Sequence, residues 1–221
     1  MTIEIPASLQ TQRALLEDGL VQLQLERALA TPLLEYLALM LRWNATYNLT
    51  AIRDPQEMVV KHILDSAAMH PYVQDIAMRG GCIADLGAGA GLPGIVLSVI
   101  YPDLRVTMLE SAGKKVRFMR EVIRHLKLEH ATAEHTRIEA FQPDKPFDAI
   151  TARALATLPL LVQLGAHLLR PGGELLAMKA VFPAEEIEGL TDGWSVTQDH
   201  ALEVPFLDAQ RRLLVVVRNG A

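Results

Sequence analysis

One cysteine, Cys82, is the whole thiol inventory of this chain, so no disulfide can close within it. No histidine or cation adjoins it, and Cys82 reads as a small core residue at a strand start rather than a reactive thiol. Apolar runs of about 18 residues or more are missing, which excludes a simple membrane-crossing helix. A secretory start is missing as well, so a cytoplasmic chain with no membrane partner is expected. Basic charge is not in excess. Lys and Arg number 21 against 26 Asp and Glu, for a net charge of −5, so any nucleic-acid contact must come from a local patch. No Cys/His cluster has metal-ligand spacing, and no metal is expected. Internal repeats and low-complexity linkers are also lacking.

What the chain does have is apolar surface to bury. Half of its 221 residues are apolar and 21% are charged, a balance that favours one packed main domain over disorder. Residues 8–41 carry Leu15, Leu16, Leu20, Leu23 and then Leu33, Leu34, Leu37, Met40 and Leu41 at helical spacing, and read as two helices broken near Thr31-Pro32. A loop at 44–55 leads to a third helix over 55–69. From residue 82 short apolar runs alternate with helical stretches. Strands are expected at 82–85, 105–109, 131–135, 147–151, 174–178, 201–204 and 213–217, and helices at 93–100, 114–126, 158–169 and 184–190. Pro171-Gly172-Gly173 marks the stop of a helix before the next strand. The expected fold is α/β: a mainly parallel seven-stranded sheet with helices on both faces, an antiparallel edge hairpin and an N-terminal helical extension. The expected division is a helical subdomain over 1–70 and a nucleoside-binding domain over 71–221, packed together because Gly80-Gly81 is too short for independent motion.

The strongest local signal is Asp85-Leu86-Gly87-Ala88-Gly89-Ala90-Gly91, which follows an apolar strand and precedes a helix beginning near Pro93. Glycines here permit positive φ and remove Cβ atoms, so backbone can pass close to a nucleoside at the carboxyl end of the strand. A dinucleotide fingerprint would want glycine at 87, 89 and 92, but Leu92 holds the last position. An acid two residues before the first of three alternate glycines fits instead the S-adenosylmethionine turn of methyltransferases. Glu110, about twenty residues further on at the end of the next strand, is placed to accept hydrogen bonds from ribose hydroxyls.

Beyond the turn, Lys114, Lys115, Arg117, Arg120, Arg124 and Lys127 make the following helix cationic, which reads equally well as a solvated face or as an RNA contact. Lys114 and Lys115, in its first turn, are the better candidates for a phosphate. Asp148 and Arg153 flank the fourth strand, and Lys179 ends the fifth. Two cations at consecutive strand ends point to a site in the crevice, with Arg153 and Lys179 as the candidate catalytic residues. Of the seven scattered histidines, His62 stands one helical turn before Asp65 and Ser66, so the three can share a face near the crevice, more as an anchor than as a ligand contact.

With these residues in hand, the chain resembles the glucose-inhibited division protein B family, ribosomal RNA small subunit methyltransferase G, which methylates guanine N7 in 16S ribosomal RNA. The resemblance rests on Trp43-Asn44, Tyr47-Asn48-Leu49-Thr50, Lys61-His62-Ile63-Leu64-Asp65-Ser66, residues 85–94, Leu109-Glu110-Ser111, Lys114-Lys115, Phe118, Arg137-Ile138-Glu139, Ala152-Arg153-Ala154, Lys179 and Arg211-Arg212-Leu213-Leu214-Val215-Val216. Ala88 and Ala180 depart from the residues common there. The resemblance implies a Rossmann-like class I methyltransferase that uses S-adenosylmethionine and leaves S-adenosylhomocysteine. It also implies that Gly87, Leu92, Ile138, Glu139 and Arg153 line the cofactor site with Glu110 at the ribose, beside the Asp85, Gly89 and Gly91 already read from the turn, with 16S ribosomal RNA or the small ribosomal subunit as partner; a monomer is expected. Guanine N7 carries an in-plane lone pair, so the expected chemistry is alignment without a general base. From the residues alone, a small-molecule methyltransferase and a non-catalytic nucleoside-binding module are the alternatives.

Overall fold

The computed structural model describes residues 3–191 and 193–220. Seven strands form one sheet in the order β3-β2-β1-β4-β5-β7-β6. They are β1 (Cys82–Leu86), β2 (Arg105–Glu110), β3 (Ala131–His135), β4 (Phe147–Arg153), β5 (Leu169–Lys179), β6 (Trp194–Ala201) and β7 (Arg212–Arg218). β1 to β5 pair in parallel, while β7 runs antiparallel to both β5 and β6. The order reverses beside β1, which opens a crevice between the carboxyl ends of β1 and β4.

Both sheet faces are covered, and adjacent residues of a strand enter opposite cores, as the period of two requires. Ile83, Met108, Leu176, Leu213 and Val215 join one apolar cluster with the N-terminal helices. Ala84, Leu109, Leu175, Leu214 and Val216 join the cluster on the other face, together with Leu158 and Leu161. The first face receives α1 (Ala7–Gln10), α2 (Arg13–Gln22), α3 (Ala30–Tyr47), α4 (Pro55–Met58), a π-helical turn at Val59–Leu64, α5 (Asp65–Ala67), α6 (Pro71–Met78), α7 (Gly94–Ile100) and α8 (Gly113–Leu126). On the other side lie α9 (Leu158–Gly165) and α10 (Ala184–Glu188).

Four local expectations are corrected. The break between the first helices is not at Thr31-Pro32: α3 runs through both, because Pro32 sits in the first turn, where a missing N–H leaves no carbonyl unpaired. The reversal comes earlier, where Gln24 takes φ 60°. The 44–55 loop starts later, since α3 continues to Tyr47 and ends on the left-handed Asn48. β6 is Trp194–Ala201 rather than 201–204. It is a half-exposed edge strand whose Ser195, Thr197, Gln198 and Asp199 hide its extended character, while Leu202 and Val204 plug the helical core. Pro171, Gly172 and Gly173 lie inside β5, where the register with β4 slips, and Gly172 takes φ +69°.

Candidate active site

At the end of β1 the chain turns through three left-handed glycines, Gly87, Gly89 and Gly91, with φ of 61°, 62° and 92°. Their environments differ. A Cβ on Gly87 would meet Leu155 Cδ1 at 2.5 Å and one on Gly91 would meet Ile95 Cγ1 at 2.5 Å, so packing also keeps these two small. At Gly89 the nearest atom is the Gly87 carbonyl at 3.9 Å, and the turn is open there.

Three side chains brace this turn. Asp85, wholly buried, accepts from the Gly94 amide at 2.8 Å through Oδ2 and so fixes the start of α7 against β1. Burial pushes its carboxyl up to about 7, against the pull of the Gly94 N–H and Arg153, and Glu110 adds repulsion. Its Oδ1 has no hydrogen-bond partner among the described residues. Glu110 accepts from the Gly89 amide at 3.0 Å and the Ala112 amide at 2.8 Å, with Lys115 Nζ 3.7 Å away. Tyr36, buried in α3, donates its hydroxyl to the Ala90 carbonyl at 2.8 Å, and burial raises its pKa well beyond the usual phenol range.

Across the crevice, a cavity of about 440 Å³ opens at the ends of β4 and β5, lined by Ile52, His62, Asp65, Arg153, Lys179 and Arg211 among others. Asp65 organises it. Its Oδ2 accepts from Arg153 Nη1 at 2.7 Å and its Oδ1 from Arg211 Nε at 2.7 Å, so the one carboxylate holds two guanidiniums. Arg153 Nη1 also donates to the Lys61 carbonyl at 3.0 Å. Arg153 Nη2 and Nε make no hydrogen bond among the described residues. Lys179 Nζ donates to the Ala156 carbonyl at 2.7 Å and pairs with Glu186 at 2.7 Å, and Glu186 in turn accepts from the Leu158 amide. His62 Nε2 meets Thr50 Oγ1 at 2.9 Å, and burial with help from nearby Arg153 lowers its pKa to about 4. The turn and the cavity are neighbours along the chain: Ala154, with φ 52°, lines the cavity, and Leu155 folds back onto Gly87.

The structure brings Arg153 and Lys179 into one cavity and places Glu110 against the glycine turn. Ile138 is buried just past β3 and Glu139 beside it is exposed. Leu92 is buried within the turn. Lys115 faces Glu110, Lys114 is exposed, and the cations further along α8 are partly spent on Glu121 and the Ala133 carbonyl. Asp148 stands at the other end of β4, where it receives Arg79, Arg170 and the Cys82 amide. Sequence reasoning missed Tyr36, which stands in a largely apolar helical stretch, and Glu186, which lies in a short acidic helix far along the chain from the Leu158 amide it accepts from. It grouped His62, Asp65 and Ser66 on one face, but nothing local tied Asp65 to Arg211, 146 positions away.

A seven-stranded sheet with a reversed seventh strand and an acid-bearing glycine turn at its switch point defines a Rossmann-like class I methyltransferase. NodS, an N-methyltransferase from Bradyrhizobium japonicum solved with S-adenosyl-L-homocysteine, shares the fold. It superposes with a TM-score of 0.56 at 16% identity, over 82% of this chain and 100% of that one. A family model described as rRNA small subunit methyltransferase G matches residues 30–215. Ribosomal RNA small subunit methyltransferase G of Xanthomonas euvesicatoria pv. vesicatoria is 55% identical over 94% of this chain and 95% of its own length. The Stenotrophomonas maltophilia protein of the same name is 54% identical over 96% of both. The chain belongs to the rRNA small subunit methyltransferase G family.

Proposed function

We propose that this enzyme transfers a methyl group from S-adenosylmethionine to N7 of a guanine in 16S ribosomal RNA of the small subunit. The observation that carries the reading is the adjacency of two features: a glycine turn left open at Gly89, and a cavity furnished with fixed cations but no uncommitted carboxylate. The open face of Gly89 and the unpartnered Oδ1 of Asp85, four residues earlier near the end of β1, fit a nucleoside cofactor with a polar tail. Glu110 retains lone pairs beyond those engaged by Gly89 and Ala112, and holds the ribose hydroxyls. Leu92, Ile138 and Glu139 flank the adenine, while Asp85, Gly87 and Gly91 set the shape of the turn. When bound, S-adenosylmethionine supplies a methyl group activated by its sulfonium, and S-adenosylhomocysteine leaves.

The protein's part is alignment. N7 attacks with a lone pair it already has, and the residues around the cavity suit a reaction without a base: His62 is neutral and both oxygens of Asp65 are engaged by arginines. Arg153 offers its free Nη2 and Nε to the guanine O6 or its phosphate, with Asp65 holding the fork in place. Lys179, which lines the cavity, has a third N–H beyond those that serve Ala156 and Glu186. A helical part over 1–70 and a cofactor part over 71–221 act as one monomeric enzyme in the cytoplasm. No helix among the described residues is long and apolar enough to cross a membrane. The test is to map 7-methylguanosine in ribosomal RNA from cells with and without the protein, and to compare methyl transfer to small subunits, naked rRNA and a metabolite extract. Transfer to the extract alone would overturn the reading.

A further inference from the structure

The loop that leaves β5 carries two apolar side chains that the fold does not use. Val181 is 63% exposed and Phe182 52% exposed, immediately after Lys179 and Ala180, which both line the cavity. Burial cannot explain an adjacent valine and phenylalanine left in water, and the fold gains little from either. The position of the ring is specific, however. Arg212 pairs in register with Lys179 where β7 meets the carboxyl end of β5, and its guanidinium carbon lies 5.6 Å from the Phe182 centroid. Arg212 is itself held by Asp199, so one side of the ring is backed by a fixed cation while the ring remains half exposed. Arg211, the preceding residue, is in the cavity wall.

We propose that Phe182 is a stacking platform for an unpaired RNA base beside the target guanine. The proposal rests on the rRNA reading above and adds a recognition residue to it. An exposed aromatic face accepts any base, because every base has a π-face, and Arg212 against the ring together with Arg153, Lys179 and Arg211 in the cavity that the loop adjoins suit the phosphates of the strand. Single-stranded RNA is the occupant that this combination of one aromatic face and several cations fits: Arg153, Lys179, Arg211 and Arg212 outnumber the three carboxylates that hold them, Asp65, Glu186 and Asp199, and Arg153 Nη2 and Nε make no hydrogen bond among the described residues. Val181 widens the apolar rim.

The test compares wild type with Phe182→Ala, Phe182→Leu, Phe182→Tyr and Phe182→Trp in the full-length enzyme, with two readouts. One is filter binding of small subunits prepared from cells lacking the enzyme, and the other is single-turnover methyl transfer to the same particles. Because the ring is exposed, all four variants are expected to keep the wild-type melting temperature and S-adenosylmethionine affinity. Phe182→Ala and Phe182→Leu are expected to weaken particle binding by about tenfold, while tyrosine and tryptophan hold it at the wild-type level or better. Equal binding by the alanine variant, or rescue by leucine, would overturn the platform. So would loss of self-association in Phe182→Ala with RNA binding intact, which would assign the patch to a second copy of the chain. If aromatic-dependent binding were seen but no methyl reached guanine in any variant, the platform would stand and the proposed reaction would fall.

Discussion

Replacing Asp65 by asparagine changes one atom type and tests the centre of the cavity. The carboxylate is 4% exposed and accepts from Arg153 and Arg211, each at 2.7 Å, with side chains 19% and 23% exposed. An amide of the same shape has one acceptor, and on its other arm an NH₂ that must face a guanidinium donor. One arginine therefore loses its partner, and both lose the neutralising charge. Breaking a buried pair from one side costs about 3–5 kcal/mol. Because each arginine is about a fifth exposed and can take up water, a loss of roughly 2–3 kcal/mol is expected. For a chain of this size that corresponds to a fall of about 5–10 °C in Tm. Methyl transfer should fall further than stability alone explains, because Arg153 would no longer be held over the acceptor and misalignment can cost about 100-fold. Circular dichroism melting and single-turnover transfer, at a temperature where the variant is folded, measure the two effects. A Tm within about 1 °C of wild type, the range of an ordinary surface substitution, together with an unchanged rate would refute the clamp.

Gly89→Val should leave a folded protein with no measurable S-adenosylmethionine affinity by calorimetry, since a branched side chain would fill the open face of the turn at a positive φ. Glu110→Ala should weaken cofactor binding by about 1–3 kcal/mol and also lower Tm, because the carboxylate ties down the Gly89 and Ala112 amides; an affinity loss at constant Tm would mean those two bonds carry little. Arg153→Lys should transfer methyl nearly as poorly as Arg153→Ala, since an ammonium cannot hold Asp65, the Lys61 carbonyl and an acceptor as a planar fork does, and full activity of the lysine variant would show the contact is not bidentate. His62 is neutral in the fold down to about pH 4 but protonates near 6.5 when unfolded, so it contributes stability that is lost as pH falls from 6.5 towards 4; chemical denaturation across that range should show a shallower slope in His62→Gln.

The residues that advertised themselves in the sequence were those whose role is set by near neighbours. The glycine turn declared itself because strand, acid, alternate glycines and helix are contiguous, and its three positive-φ glycines match that pattern. β7 and β1 to β5 were visible as short apolar runs whose successive residues enter the two cores in turn. β6 was not, because an edge strand needs only one covered side and its polar residues mimic a loop. The same logic divides the site. Arg153 and Lys179 could be placed by their position at strand ends, but what each binds depends on Asp65, Arg211, Ala156 and Glu186, which reach the cavity from other elements. Periodicity sees one element at a time, so a carboxylate shared between α5, β4 and the chain before β7 leaves no local trace.

The helical extension therefore does more than cover a sheet face. Tyr36 of α3 reaches the Ala90 carbonyl inside the glycine turn, and Asp65 of α5 reaches Arg153 and Arg211 in the cavity. Asn44 grips the Thr50 backbone from both its amide and carbonyl ends, and Thr50 meets His62, so the same extension braces the cavity wall behind Asp65. Each half of the site is thus pinned to the N-terminal helices through a buried polar contact, which is costly to leave unpaired. For the alignment mechanism proposed above, the distance between turn and cavity is the quantity that must not drift. Anchoring both to one helical layer, whose core is continuous with the sheet, fixes that distance.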